Sequence, residues 1–168
     1  MIRTNVLYGV GKIMQLYIYD NCFKAFIDQY QLTAEQLEYT GTPQEGIALA
    51  KEGVNRHAIL AIEDGVLVVF FVLHRKEGVK PYCENDDAIL LRAFSTDYRH
   101  QGKGYAKKAL MLLPDFVKQH YCDVNEIVLA VNVRNEAAQR LYKKCGYTDK
   151  GVRVMGIKGE LIVMSYDL

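Results

Sequence analysis

Between Ala88 and Val131 the hydrophobic pattern changes period twice, and no other stretch restricts the fold as strongly. Ala88 to Thr96 (AILLRAFST) has the apolar, β-branched character of a strand. After Gly102 the apolar residues fall at Ala106, Leu110, Leu113 and Val117, one stripe of a helix. Glu126 to Val131 is strand-like again. Strand, helix, strand in that order reads as a right-handed parallel crossover, which lays a helix against one face of a sheet. Pro114 falls inside the helical stripe, where the missing backbone donor predicts a kink.

The flanking segments add antiparallel strands. Ile13 to Tyr19 reads as a first strand, and Cys22 to Tyr30 carries Phe23, Phe26, Ile27 and Tyr30 at helical spacing. Thr33 with Gln36 fits a capping box for a short helix. Thr42-Pro43 fits the cap and first position of another, running to about Gly53. His57 to Ile62 and Val66 to Leu73 flank Asp64-Gly65, the favoured hairpin pair. Arg75 to Asp86 is polar and holds Gly78 and Pro81, so it reads as a loop. Asn135 to Cys145 reads as a helix with a glycine cap at Gly146. Tyr147 to Met155 and Glu160 to Tyr166 are the last strands, around the turn Gly156-Ile157-Lys158-Gly159. The sum is an α/β chain with a mixed, mostly antiparallel sheet of six or seven strands and one parallel pair. At 168 residues without a Pro/Ser-rich linker, it reads as one domain, 1–168.

Several function classes lose support at this point. With 21 basic and 20 acidic residues, the charge balance gives no reason to expect broad attraction for nucleic acid or membrane surfaces, and leaves room only for a local patch. Its longest apolar run, Val66 to Leu73, is about strand length and too short to span a bilayer. Cys22, Cys83, Cys122 and Cys145 are widely spaced, with no metal-binding or redox pattern, so no metal is expected. Met1 to Gly11 lacks the continuous apolar stretch of a signal peptide. Free thiols and that start set the expected location as cytoplasmic.

The chemistry-bearing stretch is Arg99-His100-Gln101-Gly102-Lys103-Gly104-Tyr105-Ala106, between the strand and the long helix. A helix start offers unbonded N–H groups and the positive end of a dipole, and glycines let a ligand approach that backbone. Arg99, Lys103, Lys107 and Lys108 add positive charge, so the stretch reads as an anion site, most often for phosphate. The Walker A pattern is missing, and G-x-G-x-x-G fails because Lys107 stands where its third glycine belongs.

Arg99-x-x-Gly102-x-Gly104 after a strand resembles the acetyl-coenzyme A loop, [RQ]-x-x-G-x-[GA], of the GNAT superfamily of N-acetyltransferases. One helix and one strand later, Asn135 to Tyr147 (NEAAQRLYKKCGY) resembles that family's N-x-x-A-x-x-L-Y-x-x-x-G-[FY] segment at each defined position. The resemblance covers roughly Asp87 to Leu168; the N-terminal third fits in element order only. It implies the acyl-CoA N-acyltransferase fold, whose central parallel pair splays apart, and an enzyme that moves an acetyl group from acetyl-CoA to a primary amine by direct transfer. Backbone amides from about His100 through Gln101, Gly102, Lys103 and Gly104 to Tyr105 would hold the pyrophosphate. Ala93, Phe94 and Ser95 would pair with the pantetheine arm, Asn135 would contact the cofactor near its thiol, and Tyr142 would protonate the departing thiolate. A tyrosine keeps its proton at neutral pH, as that role requires.

The general base stays open at this level: Glu84, Asp86 and Asp87 precede the central strand and His74 ends the one before it, and each also reads as a solvated or capping residue. Cys145 lies on the apolar stripe of its helix and reads as packing. The loop Arg75 to Asp87 and the N-terminal helices are expected to wall the acceptor cleft. Glu84, Asp86 and Asp87 in that loop suit a small cationic amine such as a polyamine. Many proteins of the resembled family are dimers, so the resemblance admits a homodimer, though no interface is legible. Two alternatives remain: a non-catalytic acyl-CoA-binding or sensing module on the same fold, and nucleic-acid binding through the Arg99 to Lys108 patch, which the near-zero net charge disfavours.

Overall fold

The computed structural model describes residues 13–168; the segment read for a signal peptide lies outside them. Seven strands form one sheet: β1 (Met14–Ile18), β2 (Arg56–Glu63), β3 (Val66–His74), β4 (Ala88–Thr96), β5 (Glu126–Asn132), β6 (Thr148–Gly156) and β7 (Gly159–Asp167). Their order across the sheet is β1-β2-β3-β4-β5-β7-β6, and every neighbouring pair is antiparallel except β4–β5. The helices are α1 (Lys24–Gln29), α2 (Ala34–Leu37), α3 (Pro43–Lys51), α4 (Tyr105–His120) and α5 (Glu136–Lys144).

Local chemistry explains the element ends. Asp64 and Gly65 both hold positive φ, 51° and 75°, as a two-residue turn with the right-handed twist of a hairpin requires. Thr33 and Gln36 form the expected capping box, and Thr42 forms a second one with Glu45. The first helix starts later than its periodicity predicts. Asn21–Phe23 is a 3-10 turn capped by Asp20, and only Lys24–Gln29 is α-helical. The predicted loop after β3 contains another 3-10 turn, Lys76–Gly78. The helix α4 runs unbroken from Tyr105 through Pro114 to His120.

Both faces of the sheet are covered, so β3 is an uninterrupted buried run from Leu67 to His74. On one face Leu110, Leu113 and Val117 of α4 pack with Ile59, Phe71, Ile127 and Leu129. On the other, Ile27 and Ile47 of α1 and α3 pack with Leu60, Phe70 and Val72. Phe70 and Phe71 are both fully enclosed, one facing each layer, and each such burial contributes roughly 1.5–3 kcal/mol.

Two irregularities matter. Strands β4 and β5 pair only from Ala88↔Glu126 to Leu91↔Leu129, although β4 stays on β3 to Thr96 and β5 stays on β7 to Asn132. The parallel pair therefore opens after Leu91. Beside the opening, β4 bulges between its pairings Val72↔Arg92 and Phe70↔Ser95, with Ala93 at φ 51°. The second irregularity is in the edge strand. The register of β6 against β7 shifts between Asp149 and Arg153, and Gly151 there has φ 89°.

Candidate active site

The gap between β4 and β5 is the bottom of a cleft of about 1070 Å³. Leu91 to Thr96 form one wall and Leu129 to Asn132 the other, with Tyr142 of α5 and its cap residue Asn135 on one side of the sheet. Residues Thr33 to Gly41, around α2, and the β6–β7 turn close it on the other side.

The glycine loop meets the cleft at the start of α4. Gly102 and Gly104 hold φ of 73° and 82°, which only glycine adopts without strain. A Cβ on either would meet no atom within 4 Å, so both face open space. Among the described residues, the backbone N–H groups from Gly102 through Lys103, Gly104 and Tyr105 to Lys107 find no hydrogen-bond acceptor; Lys108 N–H makes the first helical bond, to Gly104 O at 3.1 Å. The N–H of His100, by contrast, is taken by Asp97 O at 2.9 Å, and Gln101 N–H points to Tyr98 O. Gln101 lines the cleft, and the His100 ring meets Tyr105 edge-on at 6.1 Å.

Arg99 is held away from that loop. Its Nε and Nη2 donate to the two carboxylate oxygens of Asp97 at 3.0 and 2.7 Å, and Nη2 also reaches Gln29 O. Asp97 is wholly buried and accepts further bonds from the N–H groups of Arg99 and Gln31. Burial alone would raise its pKa, but the Arg99 bonds outweigh that and hold the carboxyl below the usual range. Arg99 was singled out from sequence as part of the anion loop, but Asp97, which ties it to α1 and β4, was not.

Ala93, Phe94 and Ser95 lie along the open part of β4. The Ser95 carbonyl accepts from Tyr30 Oη at 2.7 Å, and the Thr96 carbonyl from Gln36 Nε2 at 2.7 Å. The N-terminal helices thus fasten the end of the open strand. Phe94 turns its ring against Tyr142, edge to face at 6.2 Å. Tyr142 is buried, at 8% exposure, yet it lines the cleft. Desolvation pushes its phenol pKa above the ordinary tyrosine range, so the proton stays on at neutral pH. Asn135 caps α5 through Oδ1, which accepts from Ala138 N–H at 3.2 Å. Cys145 packs in the core beside Tyr142, where burial raises the thiol pKa and disfavours a nucleophilic thiolate.

The sequence model of the Acetyltransferase (GNAT) family matches residues 19–147. The chain belongs to the GNAT family. It is 38% identical to the uncharacterized N-acetyltransferase YbbJ of Bacillus subtilis (strain 168) over 143 residues, 84% of this chain and 89% of that protein. Two solved structures share the fold. One is the spermidine N-acetyltransferase of Vibrio cholerae in complex with CoA and spermine, with TM-score 0.68, 17% identity and 92% and 95% of the two chains covered. The other is aminoglycoside acetyltransferase AAC(6')-Ib in complex with coenzyme A, with TM-score 0.74, 16% identity and the same coverage.

In this acetyltransferase the four general-base candidates stand outside the cleft. Glu84, Asp86 and Asp87 are exposed before β4, at the opposite end from its opening. His74 is buried against Gly78 and bonded to Glu77 and two arginines. Of the loop expected to wall the acceptor side, only Tyr82 reaches the cleft. Glu35 and Glu38 of the α2 segment, Arg92 of β4 and Lys158 of the β6–β7 turn are there instead. Sequence spacing does not reveal them, because long-range packing brings them together. Among the described residues no helix is long and apolar enough to cross a membrane.

Proposed function

We propose that this chain moves an acetyl group from acetyl-CoA to the primary amine of a small molecule, by direct transfer in the gap between β4 and β5. The observation that carries this is the end of β4–β5 pairing at Leu91↔Leu129, which opens a cleft lined by Tyr142 and reached by Gln101 and Ala106 on either side of the glycine loop and its unpaired N–H groups. The loop suits a pyrophosphate: donors without partners, glycines at positive φ and free space above them. Acetyl-CoA, when bound, supplies a thioester carbon for the amine and a thiolate leaving group.

In this reading the N–H groups of Gly102 to Lys107 bind the anion, and the open backbone of Ala93, Phe94 and Ser95 orients the pantetheine arm. Asn135, whose Oδ1 is occupied by the helix cap, turns its amide NH₂ to the thiol end. Tyr142 holds a proton on Oη and gives it up as the thiolate leaves. Cys145 takes no part, which supports direct transfer over an acyl-enzyme. The acceptor enters from the α2 side. Tyr142→Phe removes only the hydroxyl, so turnover should fall about 100- to 10,000-fold while acetyl-CoA affinity changes little. The lower figure is favoured because water partly replaces the acid. Steady-state kinetics and calorimetry on the variant are the test; full turnover with chemistry rate-limiting would make Tyr142 a packing residue.

A further inference from the structure

One row of side chains runs across three strands on the acceptor face of the sheet: Arg56 of β2, His74 of β3 and Arg92 of β4. Arg56 pairs directly with His74 in register, and Arg92 lies two residues beyond His74's partner Leu90. Both guanidinium groups point at the same atom. Arg56 Nε and Nη2 lie 3.3 and 3.1 Å from His74 Nδ1, and Arg92 Nη1 lies 3.3 Å from it. Arginine only donates, so Nδ1 accepts and the ring proton sits on Nε2, which donates to Glu77 Oε1 at 3.2 Å. Asn55 Nδ2 holds the other Glu77 oxygen at 2.9 Å. The imidazole is wedged as well: a Cβ on Gly78 would come within 2.3 Å of its Cγ. Burial keeps His74 neutral by lowering its pKa, and the two neighbouring arginines act in the same direction.

Two cations therefore share one neutral acceptor, and among the described residues neither has a carboxylate within ion-pair distance. Arg92 is also exposed and lines the cleft at the point where β4 leaves β5. The other cation on the acceptor side, Lys158, already pairs with Glu38 at 3.6 Å. That leaves Arg92 as a positioned, unneutralised fork in the cleft wall, while Glu35 on the α2 side faces the same space.

We propose that Arg92 selects the acceptor by binding a carboxylate on the amine substrate, which makes the acceptor an amino acid or another amine bearing an acid group. The proposal rests on the transferase reading above. A planar guanidinium matches a carboxylate through two parallel bonds. A phosphate dianion fits less well, since Glu35 and Glu38 would oppose its second charge, whereas Glu35 suits an ammonium group. A polyamine would offer Arg92 no partner. Glu77 and His74 are positioning residues: they fix where the fork points without touching the substrate.

The test has two arms. In the first, thiol release from acetyl-CoA is followed with amino acids, their carboxamides and spermidine. The best acid should exceed its carboxamide about 10- to 100-fold in kcat/KM, the loss expected for one charge-assisted bidentate contact. Arg92→Gln should bring that ratio close to one through a higher KM, with Arg92→Lys in between. Equal or better use of carboxamides or spermidine, or an unchanged ratio in Arg92→Gln, overturns the proposal. The second arm needs no turnover. The coenzyme A-loaded protein is titrated with N-acetylglycine, N-acetylglycinamide and inorganic phosphate, following arginine Nε–H signals by NMR. N-acetylglycine should shift a signal that is missing from Arg92→Gln, and the amide should not. No shift, or a stronger response to phosphate, overturns it. Failure to acetylate any amine would sink the transferase reading, and the second arm would still decide the role of Arg92.

Discussion

A buried carboxylate with four donors around it is a strong local commitment, and Asp97 is such a group. Its pKa is depressed in the folded protein, so its stabilisation is complete above the unfolded value of about 3.9 and is lost as pH falls through the folded value. Asp97→Asn should cost about 2 kcal/mol at neutral pH and flatten the acid limb of the stability curve. Urea unfolding from pH 7 down to pH 3 measures both, and an unchanged acid limb would mean that other carboxylates set it. Cys145 makes the opposite case, a reactive atom placed where its reactivity is suppressed. Cys145→Ser should keep most of the turnover while losing some stability, because a hydroxyl replaces a buried thiol. An acetyl group found on Cys145 by mass spectrometry would contradict direct transfer. Legibility at this scale divides by range. Tyr142 stands seven residues after Asn135 in one contiguous motif, so their common place beside the cleft was readable. Asp97 to Gln31, Gln36 to Thr96 and Arg92 to His74 depend on strand register and on helices laid across it, so no local pattern announced them.

At the scale of elements, the loop and the first turn of α4 act as one piece. Gly104 sits at φ 82° just before the helix, with open space above it. Gly104→Val forces a β-branched residue into the left-handed region and fills the space where an anion would approach. Acetyl-CoA affinity by calorimetry should fall at least about tenfold, with a modest drop in Tm from the strain. Unchanged affinity in a folded variant would remove the loop from the binding site. The strand–turn–helix order was plain in the sequence because each part is specified by its own neighbours. Of the expected acceptor wall, the α2 segment does line the cleft, but the loop before β4 was misplaced, for the converse reason. The acids of the loop before β4 precede the strand, but the opening lies at its far end, and only the pairing of β4 with β5 shows where the opening begins.

Across the whole molecule, the sheet order follows from five antiparallel pairings and one parallel crossover. The number and sense of the strands were legible, because hairpin turns and the change of hydrophobic period are local signals. The length of the β4–β5 pairing was not, since nothing in either strand marks Leu91 or Leu129 as the last paired residue. Amide exchange should map this gradient. The enclosed strands β2, β3 and the paired half of β4 should exchange slowest, and β6, exposed along most of its length, fastest. Adding acetyl-CoA should slow exchange from Gly102 to Lys107 in particular; uniform slowing across the sheet would point to general stabilisation instead.

The interrupted register of β6 has a bearing on solubility. A free strand edge is a template on which other chains can stack. Here Gly151 bends the edge out of line, and Lys150 and Arg153 stand beside the break, their charges engaged with Glu126, Asp167, Asp149 and Glu160. A neighbouring chain meets a broken, charged rim in place of a straight ladder, so this edge resists the open-ended stacking by which crowded sheet proteins aggregate.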